Sequence, residues 1–106
     1  MSGYRPFAEL GQIVKILKGR DAGGIAVVVE IVDEKFVCIA DGDKRKFDQA
    51  KRKNIQHLEF MQHISSEVVQ SLNEMGRVTN GKLRYAVRSF IQSNDIKQTR
   101  KETNCG

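Results

Sequence analysis

The stretch 44–53, KRKFDQAKRK, sets six lysines and arginines against one acid within ten residues. The chemistry open to such a run is electrostatic. Lys44, Lys46, Lys51 and Lys53 act as point charges, while Arg45 and Arg52 can each grip a phosphate through two parallel N–H bonds. A concentrated local field steers a polyanion to one face of a protein. A solvated loop that only keeps the chain soluble explains the same residues equally well. The second set is the loop 18–24, KGRDAGG, with three glycines. Gly19 lets the chain turn out of a strand, and Gly23 and Gly24 can take positive φ. With no side chains in the way, backbone N–H groups can approach a phosphate closely, and Lys18 and Arg20 supply charge on either side of Gly19. A tight hairpin with polar decoration accounts for these glycines too. If the two sets converge, they form one anion-attracting ledge.

Other reactive residue types point to no catalysis. Asp41 and Asp43 lie two apart, but acid–base work or a metal needs convergent partners in a cleft, and a turn with Gly42 at its tip explains both. His57 and His63 have no cysteines at zinc-ligand spacing. Cys38, between Val37 and Ile39, reads as a small buried side chain with no base beside it. The expectation is a protein that is not an enzyme, with no metal and no cofactor.

The elements that must position the basic residues follow from periodicity. Residues 10–17 read as a strand with Gln12, Val14, Ile16 and Lys18 on one face and Ile13, Lys15 and Leu17 on the other. Residues 25–32, IAVVVEIV, are β-branched and apolar, as in a central strand buried on both sides. Asp33–Lys35 is a turn, and 36–40 the next strand. Residues 44–48 and 55–60 read as two further short strands around the basic linker. Five short antiparallel strands in about fifty residues point to a small closed barrel, because closure removes exposed edges. Phe47, opposite Lys46 in the alternation, belongs to the core. A side chain in the core offers no stacking platform for a flat ring.

After residue 62 the period becomes helical. Ser65 or Ser66 caps a first helix that carries Val68, Val69, Leu72 and Met75 and stops at Gly76. Asn80 caps a second, with Leu83, Ala86, Val87, Phe90 and Ile91 on one face. The short turn between them predicts a helical hairpin. Arg77, Lys82, Arg84 and Arg88 read either as its solvated face, the reading preferred, or as an extension of the polyanion-binding surface. The fold class is α+β. Residues 1–8 form a flexible N-terminal extension in which Tyr4 and Phe7 can be pinned, 9–61 the barrel, 64–92 the hairpin appendage and 93–106 a disordered polar tail.

Gly11, Val14, Ile16, Gly19, Gly23, Gly24 and Val28 stand in a Gly-x-x-Val-x-Ile-x-x-Gly-x-x-x-Gly-Gly-x-x-x-Val arrangement. This resembles the KOW motif of RNA-binding SH3-like barrels. The continuation VVEIVDEKFVCIADG is most similar to the archaeal and eukaryotic type of large-subunit ribosomal KOW proteins and to short bacterial KOW proteins. The resemblance covers about residues 9–60. It implies an SH3-like barrel whose glycine loop faces RNA, with RNA-binding residues Lys18, Gly19, Arg20, Gly23, Gly24, Lys44, Arg45, Lys46, Lys51, Arg52 and Lys53. The implied partner is ribosomal RNA or the large ribosomal subunit, with the helical hairpin open to a protein partner. The alternative is a protein-interaction module of the transcription-elongation KOW or SH3-like adaptor type.

Composition agrees with a polyanion partner. The 106 residues hold 18 basic and 13 acidic side chains, a net of +5, and residues 44–53 carry that whole excess. No apolar run approaches the ~20 residues of a membrane span. No signal-peptide pattern opens the chain, and Cys38 and Cys105 read as reduced thiols. A cytoplasmic protein is expected.

Overall fold

The computed structural model describes residues 8–105, with side chains described through residue 93. The expected extension 1–8, apart from Ala8, lies outside the described residues, as does the side chain of Cys105. Five strands, β1 (Gln12–Ile16), β2 (Ile25–Ile31), β3 (Phe36–Ala40), β4 (Lys51–Asn54) and β5 (Leu58–Ile64), precede two helices, α1 (Ser66–Met75) and α2 (Asn80–Cys105). The strands form one antiparallel sheet in the order β4-β3-β2-β1-β5. This is the small SH3-like arrangement, with one difference from the expected closed barrel. The edge strands β4 and β5 are not hydrogen-bonded to each other. A single 3₁₀ turn, Ile55–His57, carries the chain from one edge to the other. Lysine and arginine along the short β4 blunt that edge against association.

The alternation of side chains explains both faces of the sheet. Val14 and Ile16, Ala26 and Val28, and Val37 and Ile39 point into the curl of the sheet and pack with Leu58. Ile13, Val27, Val29 and Ala40 point the other way and form a second cluster with Val68, Val78, Leu83 and Ala86 of the helical half. The unbroken apolar run in β2 is thus accounted for: one face fills the curl and the other meets the helices. Each valine, isoleucine or leucine among them contributes about 1.5–3 kcal/mol on burial. Leu83 is fully buried in the second cluster. Leu83→Ala is therefore expected to cost about 3 kcal/mol of unfolding free energy, measurable as a lowered urea midpoint at unchanged slope.

The caps agree with the sequence in one helix and differ in the other. Ser65 Oγ accepts from Val68 N, and Gly76, at φ 73°, closes α1 with its N–H on the Leu72 carbonyl. At α2 the capping oxygen is Thr79 Oγ1, which accepts from Lys82 N. Asn80, the expected cap, turns its Oδ1 across to accept from Phe47 N at 2.8 Å. Asn80 thereby links α2 to the basic segment. Met75, expected in the apolar stripe of α1, is the last residue of the helix and is 71% exposed. α2 itself runs on to Cys105, beyond the expected end at 92. Lysine, glutamine, arginine and glutamate are good helix formers, so a polar stretch does not lack helix propensity.

The segment 44–48 is not a strand. Its residues form the turn after β3 and a 3₁₀ turn, Phe47–Gln49. The strand that pairs with β3 is KRKN itself, residues 51–54. Apolar periodicity cannot locate a strand made of lysine, arginine and asparagine.

Candidate nucleic-acid interface

The β3–β4 connection is built by Asp41. Its Oδ1 accepts from Asp43 N at 2.8 Å and Arg45 N at 2.9 Å, and Arg45 O accepts from the N–H groups of Asp41 and Gly42. The carboxylate expected to belong to a turn does belong to one, and it fixes the backbone that presents Lys44 and Arg45. Gly42, at the tip, has φ 80° and is buried against α2. A Cβ here would run into Asn80 O and come within 2.9 Å of Leu83 Cβ. Its carbonyl accepts from Arg84 Nη1 at 2.8 Å. The first turns of α2 therefore set the position of the basic turn.

The glycine loop between β1 and β2 is tied up internally. Gly19 and Gly23 have positive φ, whereas Gly24 does not. Ala22 N donates to Gly19 O, Gly23 N to Ile16 O and Gly24 N to Asp21 O. The expected phosphate cradle is corrected at these three positions, because their N–H groups are already spent. What Gly23 and Gly24 offer a ligand is room.

The two sequence-predicted sets meet. Lys53 Nζ donates to Lys18 O at 2.9 Å and lies against Gly19. Arg45 Nη2 stands 3.7 Å from Asp21 Oδ2, an exposed ion pair worth less than ~1 kcal/mol. Arg20, Gly23 and Gly24 from the loop, with Lys44, Arg45, Lys51 and Lys53 from the basic segment, line one concavity of about 510 Å³. Cross-strand register explains the choice among the β4 residues. Lys51 pairs with Ile39 and Lys53 with Val37, so both share the face of the curl. Arg52 falls on the opposite face, where its guanidinium sits 5.0 Å from the centre of the Phe36 ring. Arg52 and Lys46 do not line the concavity.

Sequence reasoning missed several lining residues. Ile16 and Ile39 contribute apolar surface. Asp21, Asp41 and Asp43 also line it, so five bases there face three acids. Val87 and Ile91 close one side, although the stripe of α2 read as pure core. A signal was available for Ile91: at 100° per residue it lies about 80° round the helix from Leu83, on the margin of the stripe. Phe47 is half-buried against the helix-side cluster, as expected of a core aromatic. Two helix cations expected to be solvated are anchored instead: Arg84 on Gly42, and Lys82, whose Nζ donates to the buried Ser71 Oγ at 2.8 Å. His63 rests its ring 5.6 Å from that of Phe90. Among the described residues, no three His, Cys, Asp or Glu side chains gather to hold a metal, and no helix is long and apolar enough to cross a membrane.

Cys38 lies on the helix-facing side of β3, half-buried. Burial, and then the neighbouring Glu30, push its thiol above the usual cysteine range, with Arg52 pulling the other way. At pH 8, with Cys105 replaced by serine, Cys38 should react with a disulfide reagent more slowly than free cysteine, and at the free rate once unfolded. Because folding raises this pKa, the associated stability is complete below the unfolded value. It is lost as pH climbs through the raised one.

The KOW motif model matches residues 10–39, the span of β1, the glycine loop, β2 and most of β3. A Bacillus subtilis protein named "Putative ribosome-binding protein YbzG" is 42% identical over 71 residues, covering 67% of this chain and 96% of that protein. The chain belongs to the KOW family. Further KOW relatives are archaeal large ribosomal subunit proteins eL14. That of Staphylothermus marinus is 37% identical over 59 residues, 56% of this chain and 62% of its own length. That of Saccharolobus islandicus strain L.S.2.15 is 39% identical over 54 residues, 51% and 56% respectively. The chain thus spans less than two thirds of these ribosomal relatives.

Proposed function

We propose that this KOW protein is a non-catalytic RNA-binding protein of the ribosome. It contacts structured ribosomal RNA through the glycine loop and the basic segment, and works in the cytoplasm. The observation that carries this reading is the meeting of Arg20 with Lys44, Arg45, Lys51 and Lys53 around one concavity. The names of the relatives, ribosome-binding and large-subunit, support ribosomal RNA as the polyanion. Phosphate and 2′-hydroxyl contacts supply affinity and orientation with little sequence reading. The aromatic side chains near the basic segment are engaged elsewhere, Phe47 in the core and Phe36 under Arg52, so splayed bases have no platform here.

The three carboxylates limit where a phosphate can sit. Asp41 is occupied by its turn and Asp21 faces Arg45, which leaves Lys44, Lys51 and Arg20 as the freest positive groups. Lys53 gives one donor to Lys18 O and keeps two for a ligand. Sedimentation of a lysate through a density gradient tests the reading. The protein is expected in the large-subunit fractions at low salt and near the top of the gradient at high salt. Recovery at the top under both conditions contradicts ribosome association.

A further inference from the structure

A second concavity, of about 200 Å³, adjoins the first. Both are lined by Asp41, Asp43, Val87 and Ile91, and the second adds Arg84, Arg88 and Gln92. The two form one groove that runs from the glycine loop, over the Asp41–Asp43 turn, onto the side of α2. Counted along its whole length, the groove holds seven bases and three acids. On the helix side the same two aspartates, Asp41 and Asp43, face Arg84 and Arg88.

We propose that α2 is the second wall of the RNA groove: Arg88 takes a backbone phosphate, and Val87 and Ile91 pack against ribose. The inference rests on the RNA-binding reading and extends it to a part of the chain beyond the KOW motif. Three observations carry it. Arg88 is exposed, lines the groove, and has no hydrogen-bond or ion-pair partner among the described residues. Ile91 is 38% exposed beside it, an apolar side chain flanked by cations, which suits the C–H surface of a sugar next to its phosphate. Arg84, bonded to Gly42 O, fixes the helix relative to the basic turn and acts as a positioning residue. A sugar–phosphate backbone matches this pattern in sign. An apolar peptide does not, because ten charged side chains line the same groove.

Fluorescence anisotropy with a fluorescein-labelled 20-nucleotide RNA hairpin, read across salt concentrations, tests the proposal on the full chain. Arg88→Glu should weaken binding about tenfold and make the slope of log K against log salt shallower by about one. Ile91→Ser should weaken it about threefold without changing the slope, because the contact is uncharged. Arg77→Glu, beyond the groove, should stay within about twofold of the parent. Circular dichroism melting keeps a folding defect distinct from a binding one. In the parent, the Val87 and Ile91 methyl resonances should move on RNA addition. If the parent binds, reversal of Lys44, Arg45 and Lys51 abolishes binding, and Arg88→Glu matches the parent in affinity and slope, the α2 wall is wrong and the RNA site stands. If the parent fails to bind, both readings fall.

Discussion

Replacing Lys44, Arg45 and Lys51 together by glutamate should weaken RNA binding at least about 100-fold near physiological salt. The unfolding midpoint should hardly move. All three side chains line the concavity, and none is buried. The Asp41 turn is held through the Arg45 backbone, which the substitution retains. The one ion pair lost, Arg45 with Asp21, is exposed and contributes little. The same number of reversals at Lys46, Arg52 and Lys35 is the informative contrast. Lys46 and Arg52 lie outside the groove, and Lys35 sits on the turn between β2 and β3. Net charge falls equally in both triple variants, so a field spread over the whole protein predicts equal losses, and a localised site predicts unequal ones. Equal losses by anisotropy would contradict the site.

Gly42→Ala should destabilise the fold by about 3 kcal/mol. Two costs combine there. The residue sits at φ 80°, which alanine adopts only under strain, and its new methyl group would meet Asn80 O and Leu83 of α2. The turn cannot withdraw without breaking the bond from Arg84 to Gly42 O and the bond from Phe47 N to Asn80 Oδ1. Gly76→Ala separates the two costs. Gly76 has φ 73° and open space where a Cβ would lie, so that variant carries strain alone and should lose about 1 kcal/mol. Urea unfolding of both variants measures the difference. Because the Gly42 turn also presents Lys44 and Arg45, Gly42→Ala should lose RNA affinity as well, whereas Gly76→Ala should not. Equal stability of the two variants would mean that α2 does not brace the basic turn.

The parts of this molecule legible in the sequence are those with a period or a cap. β1, β2 and β3 follow from alternation and β-branching, and α1 follows from Ser65, its apolar stripe and Gly76. The convergence of the glycine loop with the basic segment stood in the sequence only as a condition, because the KOW motif ends before residue 44; the bond from Lys53 to Lys18 O supplies it. Four features were not legible. β4 is drawn from lysines and an arginine whose strand character comes from pairing with β3, a tertiary effect that outweighs local propensity. The division of the basic residues between two faces depends on that register, so Arg52 and Lys46 could not be told from Lys51 and Lys53 beforehand. Asn80 looks like a cap because its residue type favours one. Thr79 takes that role, and the Asn80 amide oxygen bonds a residue 33 positions away in the chain. No local pattern encodes such a contact. Val87 carries no such signal either, since its spacing suits core and groove wall alike; Ile91 alone is marked, by its place on the margin of the stripe.

The central claim is that phosphates are held by the cluster around one concavity, and the salt dependence of binding tests it most directly. Five bases line that concavity, and each phosphate engaged contributes roughly −0.7 to −0.9 to the slope of log K against log salt. Anisotropy of the unmodified protein with a ribosomal RNA fragment, titrated over a series of salt concentrations, should give a slope of about −3 to −5. A slope near zero, with binding otherwise intact, would mean that the partner is not held through its phosphates.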